Sequence, residues 1–118
     1  MKAVNWKNVP VEQVNQHMKR QFIYGEKIMI SRLQLADGFE VPWHSHENEQ
    51  ITECISGTMR FWFDNDEKNH IDLHPGDSLI IPGNRPHKAK MIGDVVETDT
   101  FSPPRKDWID KSDSYLRK

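Results

Sequence analysis

From about Lys19 onward, short runs rich in Ile, Val, Phe and Trp are separated at close intervals by Gly, Pro, Asp and Asn. Runs of that length, punctuated that often, are the pattern of a β-sandwich or barrel. The expected strands are 18–24, 27–35, 39–44, 50–55, 58–63, 70–73, 78–81, 87–92 and 95–101. Turns are expected at Gly25-Glu26, Ala36 to Gly38, Ser56-Gly57, Asp64 to Asp66, Pro75-Gly76 and Gly93-Asp94. Alternation through 50–55 puts Gln50, Thr52 and Cys54 on one strand face and Ile51, Glu53 and Ile55 on the other. Residues 4–16 read equally as a short strand and as one helical turn. The tail, with Trp108, Ile109, Tyr115 and Leu116 among charges, reads as a helical turn and an arm packed on the outer sheet. The expected organisation is one all-β domain over 1–118, with a core at about 18–102, an arm at 1–17 and a tail at 103–118.

Length supports this, since 118 residues give one real core, with about two-thirds of the unfolded surface buried on folding. Eighteen acidic and sixteen basic residues leave a formal charge of −2. The basic residues form no long run, so no nucleic-acid or anionic-membrane footprint is present and a small solute is the expected partner. No apolar run resembles a signal peptide or reaches the ~18 residues a spanning helix needs. Cys54 is the only cysteine, which excludes an intrachain disulfide. A cytoplasmic protein is expected, with Cys54 as a buried strand residue. Apolar positions on the outer sheet favour a homodimer.

Candidate chemistry concentrates in two stretches. The first holds Gly38, Pro42, His44, His46 and Gln50 and ends at Gly57; the second holds Gly76, Pro82, Pro86 and His87. Residues two apart on a strand share a face, so His44 and His46 are expected to aim together, with Gly57 making the tight turn that ends their hairpin. Three imidazoles and an amide oxygen would suit one divalent cation of borderline hardness, such as Ni, Fe, Mn, Co or Zn. The acidic neighbours Glu47 and Glu49 are weaker candidates than Gln50, because their register misses the six-residue spacing to Gly57. His17, His70 and His74 are expected at the surface.

These stretches resemble the two motifs of the cupin family. The first runs glycine, five residues, histidine, any, histidine, three or four residues, glutamate, six residues, glycine, and is matched by Gly38, His44, His46, Gln50 and Gly57. The second runs glycine, five residues, proline, any, glycine, two residues, histidine, and is matched by Gly76, Pro82, Asn84 and His87. The resemblance implies a double-stranded β-helix, or jelly roll. Asn84 stands at a glycine position, which its tolerance of left-handed geometry allows. Gln50 stands at the glutamate position, and a neutral amide would leave the full charge on the metal, favouring Lewis-acid work.

A second constellation lies near residue 100. Asp99 and Phe101 share a strand face, and Ser102, Pro103 and Pro104 then turn the chain before Arg105. The three could line one pocket; equally, Asp99 and Arg105 could pair with each other or with the surface while Phe101 packs in the core. This segment is similar to the end of the KdgF-type cupins of pectin and alginate degradation. That resemblance implies His44, His46, Gln50 and His87 as metal ligands and Asp99, Phe101 and Arg105 as catalytic residues. It also implies a substrate, a 4,5-unsaturated monouronate, opened to a linear 4-deoxy-5-keto uronate. Two other functions remain open at this point: a metal-dependent cupin dioxygenase, and a small cupin that binds a sugar or other small ligand without catalysis.

Overall fold

The computed structural model describes residues 1–117 and is built almost wholly of antiparallel strands. In chain order they are β1 (Glu12–Asn15), β2 (Met18–Tyr24), β3 (Met29–Leu35), β4 (Glu40–His44), β5 (Glu49–Phe63), β6 (Asp66–Leu73), β7 (Ser78–Ile81) and β8 (His87–Ser102). The head is both things its sequence allowed, a 3-10 turn at Trp6–Asn8 followed by β1. The tail carries a single helical turn, α1 (Lys106–Ile109), and a second 3-10 turn at Ser114–Leu116. Among the described residues no helix is long and apolar enough to cross a membrane.

Two long strands organise everything else. β5 and β8 pair antiparallel from Glu49↔Ser102 to Phe63↔His87 and so belong to both halves of the barrel. One half is completed by β3 on β8 and β7 on β5, and the other by β4 on β8 and β6 on β5. This is the jelly roll implied by the sequence motifs. The sequence had split each long strand in two, at Ser56-Gly57 and at Gly93-Asp94. The structure instead shows register irregularities near Ser56, with no hairpin there.

The reason lies in the pleat. In β5 the inward residues are even-numbered up to Cys54 and odd-numbered from Met59, so one extra residue has been inserted. A bulge does this without ending the strand. Gly57 therefore makes a bulge, where the sequence had placed a hairpin turn. It takes φ +79°, and a Cβ there would overlap the Asp94 carbonyl oxygen and stand 2.8 Å from Val95 Cγ2. β6 begins four residues before its expected start, because Asp66 pairs with Phe63 and the exposed residues up to Ile71 follow β5 through a register shift. Polarity does not forbid a ladder on an edge strand.

The two halves close over an apolar core that includes Met18, Leu33 and Leu35 from β2 and β3, and Met59, Phe61 and Met91 from β5 and β8. The tail does not lie on the outer sheet as expected. It folds across one open end of the barrel, burying Trp108 and Leu116. Arg20 of β2 bonds Asp113 at 2.8 Å with both side chains fully buried, and Asn15 donates to the Leu116 carbonyl at 2.7 Å. Arg117 joins the same group through Asp113 and Glu12, at 2.7 Å each. Opposite charges this deeply buried are tolerated because they are paired.

Candidate functional site

His44 ends β4 and His87 begins β8; the two are register partners, with ring centroids 4.1 Å apart. His46 lies beyond the strand, in the loop to β5, so strand alternation does not aim it. The loop brings it back, to 5.7 Å from the His44 ring and 5.2 Å from the His87 ring. Contacts between the two motifs hold that loop. Asn84 donates its backbone N–H to the His46 carbonyl at 2.6 Å and takes φ +63°, the left-handed geometry that a glycine would otherwise supply. A Cβ on neighbouring Gly83 would come within 2.5 Å of the Glu47 carbonyl oxygen.

Each imidazole is oriented by its own backbone. Nδ1 of His44 lies 2.8 Å from the Pro42 carbonyl, Nδ1 of His46 3.0 Å from that of Asn48, and Nδ1 of His87 2.7 Å from that of Arg85. A carbonyl only accepts, so Nδ1 carries the proton in all three and Nε2 presents a lone pair. Burial, then the neighbouring His87, holds the His44 ring down at about 3. Burial and then Arg105 hold His46 at about 4, and burial lowers His87 as well.

Three neutral rings thus offer ligand atoms within 4.8 Å of one another. Nε2 of His87 is buried without a hydrogen-bond partner among the described residues, and Nε2 of His46 faces Gln50 Oε1 at 3.1 Å, acceptor against acceptor. A cation between these atoms would satisfy both. The histidine triad could hold a metal ion.

Gln50 opens the other side of the mouth. Its Nε2 donates to Thr52 Oγ1 at 2.8 Å and to Asp99 Oδ1 at 3.1 Å, which fixes the amide with Oε1 toward His46. Thr52 also donates to Asp99 Oδ1, at 2.6 Å. A glutamate at position 50, the family motif's residue, would set a second carboxylate against Asp99 where the amide now donates. Deeper in the barrel lies Glu97, absent from the sequence-based candidates. Its carboxyl is raised well above the usual range by burial, then by Asp99, and Oε2 has no partner among the described residues. Alternation with Asp99 on β8 was the available signal.

Phe101 is buried edge-on to His46, with centroids 5.7 Å apart. Arg105 lies with its guanidinium carbon 5.0 Å from the Phe101 ring centre. It does not pair with Asp99. Its Nε and Nη2 bond Asp107 at 2.9 and 2.8 Å, and Nη2 also donates to the Tyr115 hydroxyl at 2.7 Å. Tyr115 in turn stacks on His44, 4.9 Å between centroids, and burial raises its hydroxyl. Sequence reasoning had left Trp108 and Tyr115 outside the site. One cavity of about 50 Å³ is lined by His44, Gln50, His87, Glu97, Asp99 and Arg105, among others, with Met18, Met59 and Met91 at its apolar end. His17, His70 and His74 are exposed, as expected. Cys54 is buried on the inward face of β5, also as expected.

Fold and site together define a small antiparallel barrel with a histidine-lined mouth. The cupin domain family matches residues 31–99, more than half of the chain, and the chain belongs to that family. Solved structures with the same fold include an RmlC-like cupin from Shewanella frigidimarina, at 24% identity, TM-score 0.80, 89% of this chain and 93% of that one. KdgF from Halomonas sp. matches at 23% identity, TM-score 0.78, with 88% and 94% covered. The polyketide cyclase RemF from Streptomyces resistomycificus matches at 19% identity, TM-score 0.74, with 90% and 82% covered. No curated protein sequence matches the chain significantly.

Proposed function

We propose that the protein is a cytoplasmic, homodimeric enzyme that opens 4,5-unsaturated monouronates to linear 4-deoxy-5-keto uronates. The observation that carries this reading is the placement of Asp99. It shares one cavity with the histidine cluster and Arg105, and two donors hold its Oδ1 beside Gln50. The resemblance of the Asp99, Phe101 and Arg105 segment to the KdgF-type cupins, and the likeness of fold to KdgF, point the same way.

In this reading His44, His46, Gln50 and His87 are the ligands of one divalent ion, whose identity their neutral N and O donors do not fix. Bound there, the ion supplies Lewis acidity toward substrate oxygens. The reaction is an isomerisation and needs no redox partner. The C1 hydroxyl gives up its proton as the bond from C1 to the ring oxygen breaks, which makes C1 an aldehyde and leaves the ring oxygen on C5 as an enol; a proton added at C4 then makes C5 a ketone. Asp99 is the general acid and base for the C4 proton. With Oδ1 occupied by Thr52 and Gln50, its other oxygen is left to pass the proton, near the Glu97 carboxyl, which burial and then Asp99 raise well above the usual range. Arg105 binds the substrate carboxylate and Phe101 packs on the sugar ring. The cavity of about 50 Å³ holds only a few waters, so a sugar enters as the Tyr115 and Leu116 wall moves outward.

Metal-loaded protein is expected to abolish the near-ultraviolet absorbance of an unsaturated monouronate much faster than buffer does, and equal decay rates would overturn the reading. The methionine-lined end of the cavity favours a second reading, an oxygenase of phenolic or enediol substrates. Consumption of oxygen on adding such a substrate would select it. Tight binding with neither reaction would leave a sugar-binding cupin.

A further inference from the structure

The C-terminal segment brings to the cavity polar hydrogens that no well-formed hydrogen bond among the described residues consumes. Trp108 is 4% exposed, and its Nε1–H, which lies toward the Tyr115 hydroxyl, makes no well-formed hydrogen bond among the described residues. Orphaned donors of this kind are rare and call for a reason, since leaving one unmet costs as much as a lost hydrogen bond. The indole is held in place from both sides. The Arg20 guanidinium lies 4.4 Å and that of Arg105 4.9 Å from its ring centre, and Phe101 meets it edge-on at 5.0 Å. Tyr115 is stacked on His44 and accepts from Arg105 through its oxygen, which leaves its own O–H to donate. Arg105 itself is 2% exposed, and its Nη1 has no partner among the described residues. Three donors on one short stretch therefore line the same cavity as the histidines.

Charge defines what they receive. Arg105 and Asp107 cancel in a bidentate pair. A divalent ion on four neutral ligands would leave the mouth of the cavity positively charged. An anionic group with two acceptor oxygens matches that sign and the three donors. We propose that Trp108 Nε1–H and the Tyr115 hydroxyl, together with Arg105 Nη1, form a carboxylate-reading cluster that gives the cavity its preference for acid sugars over neutral ones. Trp108 and Tyr115 are then specificity-determining residues. This inference rests on the uronate reading above for its choice of ligand, and its test does not depend on turnover.

The test is calorimetric titration of the metal-loaded protein with galacturonate, a saturated acid sugar with no double bond to react, and with galactose, its neutral counterpart. Wild-type protein is expected to prefer galacturonate. Trp108→Phe and Tyr115→Phe keep the rings and remove one donor each. Each is expected to weaken galacturonate by about tenfold while galactose is unchanged. The absence of an acid preference in the wild type would overturn the proposal, as would variants that keep the full preference. Preferred binding of galacturonate without consumption of unsaturated uronate would sink the enzymatic reading and leave the carboxylate cluster standing.

Discussion

His44, His46 and His87 each hold their ring by a hydrogen bond to a main-chain carbonyl two residues away, whereas Gln50, Thr52, Glu97 and Asp99 hold one another. The orientation and tautomer of each ring on the histidine side are therefore set locally, wherever its short segment goes. The carboxyl side exists only through the pairing of β5 with β8, in which Thr52 faces Asp99 across 47 residues of chain. A slip of one residue would turn that whole set outward. Local anchoring makes rigid electron-pair donors; the cross-strand network sets two carboxyl groups side by side, with that of Glu97 raised by burial and then by Asp99. Gln50 belongs to both, with its oxygen toward His46 and its nitrogen on Asp99.

The largest expected effect removes the histidine side. His87→Ala is expected to lose bound metal on gel filtration, as read by elemental analysis, and with it all consumption of unsaturated uronate. A fully loaded variant would show that the two sides are not divided in this way. Asp99→Asn should do the converse. It keeps the metal and slows the reaction by about 10²- to 10⁴-fold; loss of metal in this variant would place Asp99 on the wrong side.

Gln50→Glu tests the residue the two sides share. An anionic ligand should tighten metal binding, while the lost amide donor and the like charge beside Asp99 slow turnover by roughly tenfold. A variant that turns over faster than wild type would remove the amide bridge from the argument.

The smallest effect is on the metal-free protein. The three histidines are neutral when folded, down to about 4 for His46 and about 3 for His44, whereas unfolded chains take up protons near 6.5. Protons therefore favour unfolding below that pH, and stability is lost as pH falls from about 6.5 toward 4. Glu97, raised by burial, acts in the opposite direction and offsets part of the loss. A fall of several degrees in melting temperature between pH 7 and pH 5 is expected, and a flat profile would deny the rings their burial.

Much of the fold was legible because strand signals are local. The ranges 18–24 and 78–81 coincide with β2 and β7, and the inward set of Gln50, Thr52 and Cys54 holds as read. The long strands were not legible, because Ser56-Gly57 and Gly93-Asp94 carry turn chemistry, and the same glycine geometry serves a turn or a bulge. His46 is in the cluster for a different reason from the one expected. Its position depends on Asn84 bonding its carbonyl across the loop, a contact between segments far apart in sequence. The tail misled for a related reason: Trp108, Tyr115 and Leu116 are apolar enough to pack on an outer sheet or to cap a barrel. Only the buried Arg20–Asp113 pair and the Asn15 bond to Leu116 decide between these.

By itself the sequence determined the all-β class and the family motifs, and it singled out His44, His46, Gln50 and His87 as candidate donors, because residue type and spacing within one strand or turn carry that information. Only the tertiary structure decided that Glu97 backs Asp99, that Arg105 turns to Asp107 and Tyr115 instead of to Asp99, and that the tail closes the mouth. Those outcomes are set by which distant strands pair and in what register, and the energy that selects a register is spread over the whole barrel.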